Sequence, residues 1–378
     1  MRREFTALTS AEDPRMSRLS VPSQAALRQF GVDRLTGYGV DRSDALELRE
    51  RVLLGEDWMQ AASDLADSCS GRADEAPQVG GGPTRALYLR RASALLRMAQ
   101  VMMLIDTPER CSLYARAGEL YGQAAELTGD RIRVELDVPG EGGPLIGWMI
   151  PAAGAVVGSV VMIGGIEGYA MDFDEMGRTL AARGADVLLL DGPGQGETRF
   201  VSGRYLDPGW RDAFRVAIDY LEERAPARPI GLVGNSMGGS LAMAIAATDP
   251  RVAACCSNGG LPAPWLVSPE VGIFFAKMAS FCGTDDADRA IQTWSTVNPL
   301  SAGSNRDHAL LVLHGDHDPM ISSEKSGALL DGASAGDRHM VVFSDGIHCL
   351  YNHQQDRDAL IADWLGAQLR RRLDTTEK

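Results

Sequence analysis

A serine in a glycine-rich turn constrains this chain more than any other feature. The mostly apolar run 230–233 predicts a buried strand, Gly-Asn-Ser-Met-Gly follows at 234–238, and residues 241–247 predict a helix. Gly-x-Ser-x-Gly between a strand and a helix is the pattern of a nucleophile elbow. Such a turn strains the backbone of Ser236, and the two flanking glycines remove side chains that would collide. The N–H of Met237, at the helix start, is then a candidate donor to an oxyanion.

Length and charge argue against several classes of protein. With 378 residues the chain can bury a large core, and its length predicts two domains. The net charge of −14 argues against nucleic acid or an anionic membrane surface as a partner. The sequence has no apolar run long enough to span a bilayer, and its basic start lacks the apolar stretch of a secretory signal.

The cysteines indicate the redox compartment. They are scattered and lack Cys-x-x-Cys spacing, which is typical of reduced thiols rather than of a disulfide framework or a zinc site. We therefore expect a cytoplasmic protein that needs no metal and no other cofactor. The cysteines are Cys69, Cys111, Cys255, Cys256, Cys282 and Cys349.

The first third of the chain has a helical pattern throughout. Residues 1–20 are polar and predict a flexible N-terminus, whereas 21–128 predict an all-helical cap domain. The predicted helices cover 43–53, 56–69, 84–104 and a stretch from Thr107 to about 127, with a polar connector at 70–83.

Beyond about residue 129 the period changes to that of strands. An alternating strand at 130–138 and its partner at 145–150 precede a series of apolar strands separated by predicted helices. The apolar strands are expected at 158–163, 185–190, 229–234, 251–256, 309–313 and 340–343. This alternation predicts an α/β fold with a mostly parallel, doubly wound sheet, interrupted by a lid insertion at about 260–305. Ligands of such sheets bind beyond the carboxyl ends of the strands.

Two further candidates follow the last two predicted strands. Asp318 and Asp316 come after 309–313, and His348 comes after 340–343. A serine, an acid and a histidine in this order can form a charge-assisted triad in which the histidine takes the serine proton. We favour Asp318 over Asp316, because its spacing places it in the loop beyond the strand end. Taken singly, each residue has a plain alternative: Ser236 as a turn serine without a role, Asp318 as a turn aspartate and His348 as a loop histidine. The presence of all three in the order of a triad favours the catalytic interpretation.

The loop after strand 158–163 should supply the second oxyanion donor. Gly165 and Ile166 are the candidates, because a backbone N–H needs no particular side chain. Glu167 is a possible substrate contact, although an exposed loop acid is the default interpretation.

Residues from about 130 to 373 resemble an α/β-hydrolase. The motifs that carry the resemblance are Gly164-Gly165, Asp191-Gly192-Pro193-Gly194-Gln195-Gly196, Gly234-Asn235-Ser236-Met237-Gly238-Gly239, Gly315-Asp316-His317-Asp318 and Gly346-Ile347-His348. The Asp-Gly-Pro-Gly-Gln-Gly run together with a helical N-terminal segment is similar to the group of 2,6-dihydropseudooxynicotine hydrolase, the fungal heptaketide hydrolase and the fermentation-respiration switch protein.

This resemblance implies a function and an assembly. Members of that group with known chemistry cleave C–C bonds in β-diketone-like or polyketide substrates, their helical domain covers the active site, and dimers are common. It therefore implies Ser236, Asp318 and His348 as the triad, and a homodimer. Some relatives use an additional acid; Glu270 lies in the corresponding region, but no motif anchors it, and a solvated cap residue is the alternative.

The predicted function is that of a serine hydrolase. It would cleave a C–C bond next to a ketone in a polyketide-like or 1,3-dicarbonyl substrate. We expect this substrate to be a small apolar or aromatic ketone, since the insertion at 260–305 is rich in aromatic residues such as Trp265, a further possible substrate contact. The alternatives are a carboxylesterase, a cyclase without net hydrolysis, and a binding protein without catalysis on the same fold.

Overall fold

The N-terminal part of the chain is helical. The computed structural model describes residues 13–76, 81–301 and 303–376. The helices are a short 3-10 turn Pro14–Arg18, then α1 Val21–Gln29, α2 Val32–Gly37, α3 Arg42–Leu53, α4 Trp58–Glu75, α5 Gly81–Gln100 and α6 Pro108–Thr128. Most of the predicted flexible N-terminus, residues 1–12, lies outside the described residues.

The boundaries of α4 and α5 differ from the sequence prediction. α4 continues beyond residue 70 to Glu75 and α5 starts at Gly81, so most of the predicted connector 70–83 is helical. The buried small residues Cys69 and Ala73 keep the apolar face of α4 in register over this stretch, and tertiary packing outweighs the polar composition. Residues 77–80 lie outside the described part of the chain.

The rest of the chain forms a sheet covered by helices. Its strands are β1 Ile132–Leu136, β2 Leu145–Ile150, β3 Gly158–Ile163, β4 Ala185–Asp191, β5 Ile230–Asn235, β6 Val252–Asn258, β7 Ala309–Gly315 and β8 Asp337–Phe343. The strand order is β1-β2-β4-β3-β5-β6-β7-β8. β2 pairs with β1 and β4 in antiparallel fashion, and the other neighbours are parallel. The predicted α/β class with a mostly parallel sheet is confirmed.

Helices connect the strands and fill the predicted insertion. They are α7 Asp174–Ala181, α8 Gly196–Phe200, α9 Trp210–Arg224, α10 Met237–Ala246, α11 Ile273–Phe281, α12 Ala287–Ser295, α13 Ser323–Gly332 and α14 Gln354–Thr376. α11 and α12 lie in the long connection between β6 and β7, after the 3-10 turns Pro264–Leu266 and Pro269–Val271. None of the helices in the described residues is long and apolar enough to cross a bilayer.

The N-terminal helices share one hydrophobic core with the sheet. Tyr121 of α6 packs edge-on against Trp148 of β2, with ring centroids 4.8 Å apart. Tyr38, just after α2, packs in the same way against Tyr351, with centroids 5.2 Å apart. Because buried aromatic pairs of this kind stabilise a fold beyond their area, the helical segment is held firmly on the sheet.

Buried ion pairs reinforce this contact. The guanidinium Nε of Arg97 on α5 lies 2.7 Å from a carboxylate oxygen of Asp172, in the loop before α7, and both side chains are almost fully buried. Arg199 of α8 makes two 2.8 Å hydrogen bonds to Asp106, between α5 and α6. A buried charge is tolerated only when it is paired, so these contacts fix how the two parts of the chain meet.

We predict that Arg97→Met destabilises the protein by about 3–5 kcal/mol at neutral pH, because it leaves the Asp172 carboxylate buried without its partner. Urea unfolding would measure the loss. Burial raises the pKa of Asp172, so the loss should shrink at lower pH, where the carboxyl group takes up a proton. Arg116→Gln is the control: it removes an exposed pair with Asp67 and should cost less than about 1 kcal/mol. Equal losses in the two variants would contradict the prediction.

Candidate active site

Ser236 occupies a strained turn at the carboxyl end of β5. Its φ of 55° and ψ of −126° lie in a region that residues other than glycine rarely adopt. The Ser236 N–H donates a 2.8 Å hydrogen bond to the carbonyl oxygen of Asn258, at the end of β6. α10 begins at the next residue, Met237. Strain of this kind persists only where the surroundings enforce it, and here the neighbouring strand does so.

The glycines around Ser236 are required by backbone contacts. A Cβ on Gly234 would lie 2.1 Å from the carbonyl oxygen of Gly238. One on Gly238 would lie 2.3 Å from the carbonyl oxygen of Gly164, at the end of β3. The collision expected from the sequence is therefore present, and it involves backbone that cannot move aside.

Ser236, His348 and Asp318 form a hydrogen-bonded chain. The Ser236 Oγ lies 2.9 Å from Nε2 of His348, and Nδ1 of His348 lies 2.7 Å from Oδ2 of Asp318. The other carboxylate oxygen of Asp318 accepts hydrogen bonds from the N–H groups of Met320 and Ile321. This arrangement orients the imidazole so that Nε2 can take a proton from the serine.

Asp316 points elsewhere. Its carboxylate accepts a hydrogen bond from the Ser323 hydroxyl and is 44% exposed. The carboxylate that reaches the histidine is that of Asp318, the acid favoured from the sequence.

The electrostatics of the pair follow from its geometry. Burial alone would raise the pKa of Asp318, but the hydrogen bond and charge of His348 hold it below its usual value. Burial also disfavours the charged form of His348, yet the Cys349 sulfur and the Asp318 carboxylate raise its pKa above the usual value. The pair therefore stabilises an imidazolium.

The loop after β3 passes directly over Ser236. A Cβ on Gly165 would lie 3.0 Å from the Cβ of Ser236, so a larger residue would push the loop away from the serine. The Gln195 side chain donates hydrogen bonds of 2.6 and 3.1 Å to the carbonyl oxygens of Gly164 and Gly165. The backbone of Gly165 and Ile166 is thereby held beside Ser236, close to the first residue of α10, Met237.

Glu167 is buried, contrary to the exposed loop acid that was the default interpretation of the sequence. Its carboxylate accepts hydrogen bonds from Gln29 of α1, Arg34 of α2 and Lys277 of α11. We call these four residues the Glu167 cluster. Burial alone would raise the pKa of Glu167, but Lys277 and Arg34 hold it below its usual value. The carboxylate is thus charged, and it connects the N-terminal helices, the loop after β3 and the insertion.

A cavity of about 390 Å³ opens beside Ser236 and His348. Its lining includes the polar side chains of Arg34, Glu167 and Tyr38, and its mouth is formed by apolar lining residues that are partly exposed. The apolar lining residues are Ile166, Val271, Ile273, Phe274 and Met320.

The remaining candidates lie outside the lining of this cavity. Glu270 is exposed on its 3-10 turn, and Trp265 is half-buried against the core.

Within the described residues, no group of three His, Cys, Asp or Glu side chains could hold a metal ion, and the cysteines are free thiols.

Comparisons with known proteins agree with this geometry. Residues 158–277 match the family model of the alpha/beta hydrolase fold. The chain is 28% identical to 2,6-dihydropseudooxynicotine hydrolase of Paenarthrobacter nicotinovorans, over 88% of this chain and 90% of that protein. A crystal structure titled 2,6-dihydroxy-pseudo-oxynicotine hydrolase superposes with a TM-score of 0.77 at 27% identity, covering 90% of this chain and 96% of that one. The chain has the α/β-hydrolase fold.

Fungal relatives match a smaller part of this hydrolase. It is 30% identical to alpha/beta hydrolase ucsC of an Acremonium species, over 57% of this chain and 49% of that protein. It is also 30% identical to hydrolase LUC6 of a Fusarium species, over 59% and 57% of the two chains. The hydrolase thus spans only about half the length of these fungal proteins. The resemblance to dihydropseudooxynicotine hydrolase and to fungal hydrolases that the sequence indicates is confirmed.

The sequence analysis did not identify several residues that shape the site. Arg34 and Lys277 bind Glu167 although they lie 133 and 110 residues from it in the sequence, and no local sequence pattern predicts such pairs. The Asn258 amide donates hydrogen bonds to Asn235 Oδ1, at 2.7 Å, and to the carbonyl oxygen of Cys349, at 3.0 Å, which fixes the His348 loop against β5. Gln195 lies in the Asp-Gly-Pro-Gly-Gln-Gly motif, and the glycines around it are the only sequence signal that points to its role.

We predict that Gly238→Ala destabilises the hydrolase by at least about 1–3 kcal/mol, because the new methyl group meets the carbonyl oxygens of Gly164 and Ile163. It should also slow the labelling of Ser236 by a fluorophosphonate. Gly71→Ala on α4 is the matched control: its Cβ meets nothing within 4 Å, and it should stabilise the protein by about 0.5–1 kcal/mol. Thermal unfolding measures both, and a neutral Gly238→Ala would contradict the close approach.

Proposed function

We propose that this hydrolase uses Ser236 as a nucleophile and cleaves a C–C bond next to a ketone in a 1,3-dicarbonyl or polyketide-like substrate. The observation that carries the proposal is the hydrogen-bonded chain from Ser236 through His348 to Asp318, at the base of a cavity with an apolar mouth. The group it resembles, whose members of known chemistry cleave such bonds, supports the choice of reaction.

The proposed first step is the attack on the ketone. Ser236 Oγ bonds to the carbonyl carbon while His348 Nε2 takes the serine proton, and Asp318 stabilises the resulting imidazolium. The carbonyl oxygen becomes an alkoxide. The N–H of Met237 and that of Gly165 or Ile166 would hold it, because backbone donors aimed at a developing charge lower the barrier without reorganising.

The proposed second step breaks the C–C bond. The alkoxide re-forms a carbonyl, and the electron pair of the C–C bond leaves with the departing carbon, delocalised onto a neighbouring carbonyl as an enolate. His348 returns its proton to that carbon. Water, activated by His348, then hydrolyses the acyl-serine and releases a carboxylic acid. A substrate without a neighbouring carbonyl or aromatic ring could not accept the electron pair.

Carboxylic ester hydrolysis is the second candidate, because the same triad and the same oxyanion donors serve an ester. A non-hydrolytic cyclase or a binding protein would not need all three triad residues. The homodimer, the cytoplasmic location and the division into a helical cap domain and a hydrolase domain at residues 128 and 129 stay predictions.

We predict that Ser236→Ala keeps the fold and lowers turnover by about three orders of magnitude or more. Its side chain is small and only partly buried, so no core cavity opens. A panel of aromatic 1,3-diketones and aryl esters, assayed with both proteins, tests nucleophile and reaction together. Diketone cleavage that the variant lacks supports the proposal. If only esters were turned over, the carboxylesterase would replace it, and full activity of the variant would exclude the covalent mechanism.

The raised pKa of His348 predicts an alkaline pH profile. The base must be neutral, so kcat/KM should rise with pH around a midpoint above the ~6.5 of an unperturbed histidine.

Asp318→Asn should lower turnover by about 10³–10⁴-fold, since an amide cannot stabilise the imidazolium. Asp316→Asn is the matched control and should keep both rate and midpoint near those of the wild type. A midpoint below pH 6, or equal losses in the two variants, would contradict the assignment.

A further inference from the structure

Arg34 brings a positive charge from the N-terminal helices into the candidate active site. It lies on α2 and lines the same cavity as Ser236 and His348. Its side chain is 21% exposed, and its guanidinium lies over the rings of Phe30, Tyr38 and Tyr351 at 4.8, 5.5 and 5.7 Å. These rings fix the plane of the guanidinium, so its position is set before any ligand arrives.

The guanidinium keeps hydrogen-bonding capacity. An arginine has five N–H donors. Nη1 donates to the carbonyl oxygen of Gln29 at 3.2 Å, and Nη2 donates to the Tyr38 hydroxyl at 3.2 Å and to the Glu167 carboxylate. Nε is buried and has no partner among the described residues. Nη1 has a second hydrogen without a partner among the described residues, and Arg34 lines the cavity, so we take this hydrogen as the donor to a ligand.

The charge around Arg34 is not fully balanced. Arg34 and Lys277 share the single carboxylate of Glu167. Deeper in the protein, Arg110 and Arg199 likewise share Asp106. Asp318, the other carboxylate near the cavity, is engaged by His348. Beside the cavity, the guanidinium of Arg34 and the ammonium of Lys277 thus share one carboxylate, in surroundings where little water screens the charges.

We propose that Arg34 binds a second oxygen of the substrate, the carbonyl, enol or phenol oxygen next to the bond that breaks, and holds the negative charge of the departing enolate. This inference rests on the proposed function and specifies its substrate class: a ketone with a second oxygen in the 1,3 relation. In an ester, the leaving oxygen itself takes the proton from His348, so no comparable charge develops on a second oxygen for Arg34 to hold. Arg34 is thereby a specificity-determining residue supplied by the helical segment.

The electron balance of the reaction gives Arg34 its role. When the C–C bond breaks, its electron pair moves through the departing carbon onto the second oxygen, and no proton has yet arrived. A guanidinium beside that oxygen stabilises this state and, more weakly, an enolised substrate before the reaction. The His348 proton then adds to carbon, the oxygen returns to a neutral carbonyl, and Arg34 is unchanged.

The first test measures binding in the Ser236→Ala background, where no cleavage occurs. The probes are dibenzoylmethane, an aromatic 1,3-diketone, and the monoketone of the same skeleton without the second oxygen. Calorimetry at pH 8 should give the diketone a preference of about tenfold or more, and adding Arg34→Gln should reduce it below about threefold. Adding Arg42→Gln, an exposed site at the start of α3 with the same charge change, should leave the preference intact. No preference at all, or one that survives Arg34→Gln, overturns the inference.

The second test separates this inference from the proposed function. In the wild-type background, Arg34→Gln should lower kcat for diketone cleavage by about 10²-fold and affect aryl esters much less, as removing one donor to a transition-state oxygen does elsewhere. Arg34→Lys, which keeps the charge but not the planar fork, should recover part of the loss. Unchanged thermal unfolding checks that the cluster stays folded, since Glu167 retains Lys277 and Gln29. Equal losses on both substrate classes overturn the role of Arg34 alone, whereas a wild type that hydrolyses only esters overturns the proposed reaction.

Discussion

The candidate site depends on backbone packed directly against backbone at the ends of β3 and β5. Gly234, Gly238 and Gly164 meet at distances that leave no room for a single methyl group. This contact holds Ser236 at a positive φ that costs about 1–3 kcal/mol. The surrounding parallel sheet offsets that cost, and the hydrogen bond from the Ser236 N–H to Asn258 anchors the turn to β6. The loop after β3 and the start of α10 are thereby kept on the same side of the serine.

A second constraint is the burial of charge between the helical segment and the sheet. Two ion pairs hold the parts together: Arg97 with Asp172, and Arg199 with Asp106. If either pair were separated, buried charges would lose their partners, which is unfavourable. The Glu167 cluster belongs to the same contact but reaches the cavity. Stability and site geometry therefore rest on the same interactions: a movement of α2 relative to the sheet would displace both Arg34 and the loop that carries Gly165 and Ile166.

Local signals predicted the parts of the site that are local. The elbow around Ser236 is visible because its glycines, strand and helix are adjacent in sequence. Asp318 and His348 could be found because parallel strands bring their carboxyl ends to one edge, so residues that follow β7 and β8 must lie near Ser236. Arg34 and Lys277 could not be found in this way. Arg34 lies on a helix of six residues and Lys277 on a mostly apolar helix, and their role arises only when tertiary packing brings them to a carboxylate more than a hundred residues away. The same reasoning explains why the sequence indicates an exposed Glu167: a charged loop residue is buried only when distant partners compensate its charge.

The apolar mouth of the cavity and its polar side at Arg34 favour different parts of a ligand. Val271, Ile273 and Met320 line the mouth and are 56%, 45% and 37% exposed, which is unfavourable for a group of apolar side chains unless a ligand or another surface covers them. Opposite them lies a guanidinium with a hydrogen to donate and with incomplete charge compensation. A purely apolar ligand would cover the mouth but leave Arg34 without a new partner, and a small polar ester would do the reverse. The proposed aromatic 1,3-dicarbonyl would satisfy both, because its rings could cover the apolar mouth while its second oxygen lay against Arg34. The charge that C–C cleavage develops on that oxygen strengthens this contact as the bond breaks, which is the condition for binding energy to accelerate a reaction.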